Sequence, residues 1–461
     1  MSQENRFPSS QPALLRELGI GQASAIVVGT IIGSGIFLVP AEMMQAVGSA
    51  RMVYLAWIVG GLLSLAGAMT YAELGAMKPQ AGGEYLYIRD AYGSLPAFLY
   101  AWTWFVVAKP GSVATIATGI VRILGTFPAL AFFSQASIRS PFVITNGQLV
   151  AIAAAAFITW LNYLGVKKAG EFQLVFTILK VLLILGVGLV GFTAASGTWK
   201  NFSTHFAGAT SGLAGFMAAL VAALWAYDGW NDLNMVSGEV RHPERTIPIA
   251  LIAGVAIVAV LYMLNNAAVQ YVLPADQIAT SQRASSDATA VAVGAWGAAI
   301  VSLGMALSML VTLNGTIMSG ARIPYAVARD GYFFKAMAEV HPRFHTPSVA
   351  LIGQLVLSVI LLLFAGSFRE LFSLTIFAEW LFYLIATSTV FVLRRKEPNT
   401  PRPYKAWGYP VVPAVFVAVA AVLLYYTFTA NLKNSAWGCV LILSGIPIYL
   451  YFARKKNAGT A

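Results

Sequence analysis

The chain has 461 residues, of which 58% are hydrophobic and only 10% are charged. Soluble proteins carry about 25% charged residues, so the composition excludes an ordinary soluble globular protein. The formal net charge of +11 could suggest a nucleic-acid partner, but the placement of the basic residues described below argues against one.

Long apolar runs such as "MVYLAWIVGGLLSLAGAM" and "VAVAAVLLYYTF" dominate the sequence. Runs of about 18 or more apolar residues with few charges are typical of transmembrane helices. The pattern predicts an integral membrane protein with twelve spans. They lie near residues 20–46, 51–77, 94–125, 147–166, 169–193, 212–240, 247–272, 293–328, 348–366, 370–393, 409–430 and 435–453.

The Lys and Arg residues are distributed unequally between the predicted loops. With the N-terminus inside, the outer loops hold Arg51, Arg139, Lys200, Arg283, Arg369 and Lys433, and the spans hold Lys109, Arg122 and Lys180. The remaining Lys and Arg lie on the cytoplasmic side, which is the asymmetry of the positive-inside rule. We therefore expect a multi-pass protein of the cell membrane with both termini cytoplasmic. The polar tail 1–19 lacks a signal-peptide pattern.

Cysteine and histidine usage gives no sign of a metal or a cofactor. The single cysteine, Cys439, lies inside the last predicted span, so a disulfide within the chain and a thiolate metal site are both excluded. The four histidines fall in loops or at span ends. The sequence predicts neither a metal site nor a cofactor.

The first span contains "IIGSGIF", in which Gly33, Ser34 and Gly35 interrupt an apolar helix. Each glycine costs about 1 kcal/mol relative to alanine in a helix interior. An interruption creates one helix end with free carbonyls, which suits a cation, and one with free N–H groups, which suits an anion. A small zwitterion matches both ends. The alternative is that these small residues form a tight helix-packing face.

Lys180 lies in the middle of the fifth predicted span, in "FQLVFTILKVLLILGVG". A charge at this depth costs at least about 2.5–3.5 kcal/mol on insertion scales, so it usually has a partner and a function. The alternative is that the side chain extends to the membrane interface. The distance of Lys180 from both span ends favours a buried partner.

The centre of the sixth span, "YDGWND", is too polar for a plain membrane helix. Asp228 in this interruption could pair with a cationic substrate side chain, accept a hydrogen bond or cap a half-helix. Glu379, in "FAEWLFYLI" of the tenth span, could take part in proton coupling or pair with another polar group.

The interruptions in spans 1 and 6 lie five spans apart. Paired interruptions in corresponding positions of two halves indicate a secondary transporter built from inverted repeats, with its binding site at the interruptions. The predicted fold is an all-α membrane protein with a 5+5 inverted repeat and two added helices. Residues 1–19 form the N-terminal tail, 20–193 and 212–393 the two repeats, and 394–461 a cytoplasmic loop, two helices and the C-terminal tail.

Five motifs, taken together, resemble the amino acid–polyamine–organocation transporters, most closely their L-type amino acid transporter branch. They are "GTIIGSGIF", "YAELGAMKPQAGGEYLYIRDAYG", "WAYDGWNDLNMVSGEVRHPERTIPIA", "NGTIMSGARIPYAVARDGYF" and "RPYKAWGYPVVP". The resemblance runs almost from end to end. It implies the same fold, with helices 1 and 6 broken within the membrane.

The resemblance also implies a set of site residues. The substrate carboxylate would bind the backbone of Gly33, Ser34 and Gly35, and the ammonium would meet carbonyls near Ile31 and near the second interruption. The second interruption would contribute Trp225, Asp228 and Asn231. Lys180 would bridge spans 1 and 8, with Thr312 or Thr316 as its partner. Glu379, as an acid within a span, is a further candidate coupling residue apart from the resemblance. Lys109 matches a basic–proline pair of the family and is interpreted as structural.

The predicted function is a secondary amino acid transporter, a permease or exchanger, that works by alternating access and is not an enzyme. The alternative is a proton-coupled symporter for cationic amino acids or polyamines, in which protons are a second partner. A membrane-embedded sensor or enzyme is a more remote alternative. Mammalian members of the branch join a glycoprotein through a loop cysteine, and residues 126–146 contain none, so we expect a bacterial-type protein without that subunit.

Overall fold

The computed structural model describes residues 13–138, 144–364, 368–430 and 432–458. The first twelve residues of the predicted N-terminal tail and the last three of the C-terminal tail lie outside these ranges. The described chain is nearly all helical, as its composition predicts. Two short strands, Ala136–Ile138 and Ile144–Thr145, pair in antiparallel fashion.

The helices are, in chain order, α1 (Ile20–Ile31), α2 (Gly35–Val47), α3 (Ala50–Met77), α4 (Glu84–Tyr92), α5 (Ser94–Thr103), α6 (Lys109–Leu124), α7 (Asn146–Tyr163), α8 (Val166–Thr193), α9 (Gly212–Ala226), α10 (Asp232–Met235), α11 (Pro243–Val272), α12 (Ala275–Thr280), α13 (Ala284–Val293), α14 (Ala295–Gly320), α15 (Arg322–Arg329), α16 (Ser348–Phe364), α17 (Phe368–Lys396), α18 (Val411–Ala430), α19 (Leu432–Leu443) and α20 (Gly445–Ala458). A π-helical turn, Trp104–Ala108, joins α5 to α6.

Nine helical segments of the described chain are long and apolar enough to cross a membrane. They are Ile20–Val47, Ala50–Met77, Ser94–Leu124, Val166–Thr193, Pro243–Val272, Ala295–Arg329, Phe377–Lys396, Val411–Thr429 and Leu432–Ala458. The other three predicted spans coincide with shorter helices, namely α7 with 18 residues, α9 with 15 and α16 with 17. The chain is therefore a multi-pass membrane protein.

Proline and glycine mark several helix boundaries. α11 begins at Pro243, where the missing N–H costs nothing because the first amides of a helix have no partner within it. α2 is closed by Gly48, whose φ of 72° is left-handed and is therefore available to glycine at little cost.

The helix α1 lies at the centre of the bundle and packs against α8, α11 and α14. The helix α2 packs against α9, so the two interrupted segments are neighbours. The central position of α1 explains why its residues from Val27 to Ile32 are buried although the helix carries few large side chains. Any polar group at the end of α1 must therefore find its partner inside the protein.

The predicted inner-face segments meet at one end of the bundle. Arg322, at the start of α15, forms a bidentate ion pair with Glu239 at 2.7 and 2.8 Å, and both side chains are fully buried. The Glu239 carbonyl also accepts the N–H of Leu18 at 2.9 Å, which holds the segment before α1. Lys78, after α3, pairs with Glu397, after α17, at 2.9 Å.

Candidate functional site

The first candidate element is the interruption between α1 and α2. α1 ends at Ile31 and α2 begins at Gly35, within a single 28-residue apolar segment. The Gly33 N–H turns back to the Ile31 carbonyl at 2.7 Å, and the Ser34 carbonyl accepts the N–H of Phe37 at 3.1 Å. The first amides of α2 have no partner within the helix. The start of α2 therefore offers N–H groups and the positive end of a helix dipole to an anion.

Only one of the two glycines in this interruption is required by packing. A Cβ on Gly35 would lie 3.0 Å from both the Cα and the Cβ of Ala226, at the end of α9. A Cβ on Gly33 would meet its nearest atom, the Thr312 hydroxyl oxygen, at 3.5 Å, which is an ordinary contact. Gly35 is thus a position at which α2 and α9 pack too closely for a side chain to be added without a shift.

The second candidate element is the segment 227–231, between the end of α9 and the start of α10. Gly229 adopts a φ of 105°, a conformation that suits glycine. A Cβ at this position would lie 2.9 Å from the Thr30 methyl group. The second interruption therefore packs directly on the end of α1, so the two interruptions form one site.

The hydroxyl of Tyr262 on α11 links the ends of α1 and α9. It is hydrogen-bonded to the Ile31 carbonyl at 3.0 Å and to the Ala226 carbonyl at 2.8 Å. Both carbonyls are the free acceptors that a helix end leaves, and they converge on one polar atom. This is the arrangement that an ammonium group would use, and such a group would replace the Tyr262 hydroxyl as their donor.

Lys180 acts as a cationic cap for the end of α1. Its ammonium donates to the carbonyls of Gly29 at 2.8 Å, Ile32 at 2.6 Å and Ser308 at 3.0 Å, and the side chain is only 1% exposed. A cation at a helix C-terminus is stabilised by the helix dipole. The dipole and three hydrogen bonds explain how a lysine is buried here beside backbone carbonyls.

The sequence predicts Thr312 or Thr316 as the partner of Lys180 on α14. In the structure the Lys180 ammonium donates to the backbone carbonyl of Ser308 on that helix. The Thr312 hydroxyl instead donates to the carbonyls that Lys180 binds, Gly29 at 3.2 Å and Ile32 at 3.3 Å. The Lys180 acceptors in the described part of the chain do not include Thr316, whose carbonyl accepts hydrogen bonds from Ser319 and Gln354.

A small cavity of about 20 Å³ lies beside the second interruption. Asp228 and Glu379 both line it, and the Asp228 carboxylate accepts a hydrogen bond from Tyr383 at 2.5 Å. The other lining residues are mostly aromatic or aliphatic: Ser64, Val221, Leu224, Trp225, Trp230, Trp380, Tyr383 and Phe416. The structure thus brings together three predicted site residues, namely Trp225, Asp228 and Glu379.

Several residues of the site were not predicted from the sequence. Tyr262 and Tyr383 are tyrosines within long apolar helices, and Ser308 contributes a backbone carbonyl, which any residue could supply. Glu84 contacts Asn231 of the second interruption at 2.6 Å. Glu84 stood in a predicted loop, although its position after Gly82 and Gly83 could have indicated close packing.

Comparisons with known proteins agree with this architecture. Residues 18–452 match the family described as amino acid permease. The chain is 31% identical to the serine/threonine exchanger SteT of Bacillus subtilis over 96% of this chain and 98% of that protein. It is 33% identical to the mouse b(0,+)-type amino acid transporter 1, over 96% and 89% of the two chains. It is 31% identical to the human cystine/glutamate transporter, over 97% and 88%. The resemblance inferred from the motifs is therefore confirmed, and the chain belongs to the amino acid permease family.

Proposed function

We propose that this protein is a secondary amino acid transporter that works by alternating access. The observation that carries the proposal is the junction of the two interruptions, where Gly229 packs on Thr30 and Gly35 packs on Ala226. Irregular backbone is tolerated at membrane depth only where protein or a water-filled cavity covers it. The junction places the start of one helix beside the ends of two others, which suits the two opposite charges of an amino acid.

In this proposal the substrate carboxylate binds the amides of Ser34 and Gly35 at the start of α2. The ammonium binds the Ile31 and Ala226 carbonyls, at which Tyr262 now donates. Backbone groups bind the carboxylate and the ammonium, which all amino acids share. The substrate side chain must therefore be recognised by the cavity walls. Trp225, Asp228 and Asn231 supply these walls, together with residues of α17.

We also propose the twelve-span, 5+5 inverted-repeat topology, with both termini cytoplasmic and without a disulfide-linked subunit. Single cysteines at positions 2 and 433, after replacement of Cys439, test the orientation. In intact cells only the cysteine at position 433 should react with an impermeant thiol reagent. Reaction at position 2 alone would invert the topology.

The function is tested with the purified protein in proteoliposomes. Uptake of labelled serine, leucine and arginine is measured with and without unlabelled amino acid inside the vesicles. An exchanger takes up label faster when the vesicles are preloaded. Saturable uptake without this acceleration indicates a permease, and no uptake of any amino acid would contradict the proposal.

The second candidate is a proton-coupled symporter for cationic amino acids. The observation that favours it is the presence of both Asp228 and Glu379 at one cavity. Two carboxylates in a nonpolar wall are costly unless a proton or a cation accompanies them. An inward proton gradient should then drive arginine uptake into vesicles that contain no amino acid.

A further inference from the structure

Glu84 is held against the second interruption by a tight glycine turn. It begins α4 and is only 1% exposed. Gly82 and Gly83 precede it with φ values of 121° and 52°. The Gly82 N–H donates to the Met235 carbonyl at 2.9 Å, and a Cβ on Gly83 would lie 3.0 Å from the Met235 nitrogen. The turn therefore lets the loop after α3 pack on the backbone of α10.

The Glu84 carboxyl group is the end of a hydrogen-bonded chain that reaches the candidate site. One oxygen accepts the Asn231 amide N–H at 2.6 Å, and the other accepts the Tyr100 hydroxyl at 3.1 Å. The Asn231 oxygen lies 3.1 Å from the Tyr383 hydroxyl, which also lies 2.5 Å from Asp228. Tyr383 has a single proton for these two acceptors. Because the shorter contact goes to Asp228, Asn231 is oriented mainly by Glu84.

Lys109 and three tyrosines act on Glu84 among the described residues. The charge of Lys109 on α6 favours the ionised form of Glu84, but the Lys109 ammonium is itself hydrogen-bonded to Asp232 on α10. The tyrosines are Tyr71 on α3, Tyr87 on α4 and Tyr100 on α5. Burial raises the pKa of Glu84 to about 7, although the hydrogen bond from Asn231 opposes the rise.

We propose that Glu84 is a positioning residue for the substrate site, which binds a proton during the transport cycle and so loosens its hold on the Asn231 amide. This inference rests on the proposed function. An ionised carboxylate accepts a charge-assisted bond that is about twice as strong as a neutral one. When Glu84 is protonated, its carbonyl oxygen accepts a weaker bond from Asn231.

Both protonation states keep a hydrogen bond at each carboxyl oxygen of Glu84. The Tyr100 hydroxyl donates to the ionised carboxylate and, after rotation, accepts from the protonated one. Neither state therefore leaves a Glu84 oxygen without a partner, which would be costly. The group can change its proton occupancy at neutral pH while α4 stays packed on α10.

The test measures the initial rate of labelled serine, leucine and arginine exchange in proteoliposomes between pH 6 and 8. The protonated fraction of a group that titrates near pH 7 falls about tenfold over this range. The wild-type rate should fall up to about tenfold as the pH rises. Glu84→Gln, which keeps the shape and stays neutral, should transport at the pH 6 rate throughout, and Glu84→Asp should restore a pH-dependent rate.

Glu397→Gln is the matched control, because it removes a carboxylate from the loop after α17 that pairs with Lys78 and does not touch the site. It should keep the wild-type pH profile. A wild-type profile in Glu84→Gln would overturn the inference. The inference would also be overturned if Glu84→Gln folded but were inactive at every pH, because transport would then require the carboxylate itself and not its protonation.

Infrared difference spectroscopy separates this inference from the proposed function. The wild-type protein should show a protonated-carboxyl band that disappears as the pH is raised through about 7, and Glu84→Gln should lack it. This titration does not need a transported substrate. If the band titrates while no amino acid is exchanged, the proposed function fails and the proton site stands. If exchange occurs without the band, Glu84 does not bind the proton.

Discussion

Replacing Lys180 by Met tests how the end of α1 is held. The substitution keeps the length of the side chain and removes three hydrogen bonds, to Gly29, Ile32 and Ser308. Hydrogen bonds to charged groups contribute about 1.5–3 kcal/mol each. The cost of burying an ammonium group offsets several kcal/mol of that gain.

A second donor, the single proton of the Thr312 hydroxyl, lies within reach of the three carbonyls in the variant, and the Ser308 hydroxyl donates to the Ile32 carbonyl at 2.8 Å. The Thr312 hydroxyl lies 3.2 Å from the Gly29 and Ser308 carbonyls and 3.3 Å from the Ile32 carbonyl. We therefore expect Lys180→Met to destabilise the protein by only about 2–4 kcal/mol and Thr312→Val by about 1 kcal/mol. The double variant should lose more than the sum, by about 1–2 kcal/mol, because neither donor then remains.

Two assays on the same four proteins check this prediction. Thermal stability in detergent measures the packing, and initial exchange rates in proteoliposomes measure function. An increase of about 2 kcal/mol in the transport barrier corresponds to about a 30-fold lower rate, so Lys180→Met should be folded and slow. Strictly additive stability losses, or an unchanged rate in Lys180→Met, would refute the view that Lys180 and Thr312 share the end of α1.

Three further predictions concern the two interruptions. Gly35→Ala should lower the free energy of unfolding by about 1–3 kcal/mol through overpacking and abolish uptake, because the added Cβ would lie 3.0 Å from Ala226. Gly33→Ala, the control within the same motif, should fold normally. Equal thermal stability of the two variants would contradict this prediction. Tyr262→Phe should lower the KM for amino acids while leaving the protein folded, because the ammonium then no longer competes with the hydroxyl for the Ile31 and Ala226 carbonyls, and an unchanged KM would remove the hydroxyl from the site. Because Tyr383 already donates to Asp228, Asp228→Asn should slow alanine, leucine and arginine uptake alike; selective loss of arginine uptake would instead show that Asp228 pairs with the substrate.

The family and the helical character of the chain could be predicted because they depend on long apolar runs and on motifs spread over the whole length. The position of the interruption at Gly33 to Gly35 could also be predicted, since glycine pairs are unfavourable within an apolar helix. The structure shows that the two glycines differ. Only Gly35 faces a neighbouring backbone, and this depends on tertiary contacts that a motif does not contain.

The contacts of the charged residues were harder to predict. The sequence predicts a buried partner for Lys180. Its acceptors are backbone carbonyls, which every residue has and which the sequence therefore cannot identify. Glu84 contacts Asn231 across the fold, between residues that are far apart in the chain. This contact could not be inferred from the position of Glu84 between the second and third predicted spans.

The central claim is that the interruptions bind the two charges of a zwitterion. The most direct measurement is competition against labelled amino acid uptake in proteoliposomes by a matched series: the unlabelled amino acid, its amide, its methyl ester and the amine that lacks the carboxylate. We predict that only the intact amino acid competes, because the start of α2 binds an anion and the ends of α1 and α9 bind a cation. Competition by the amide that equals competition by the parent acid would contradict it.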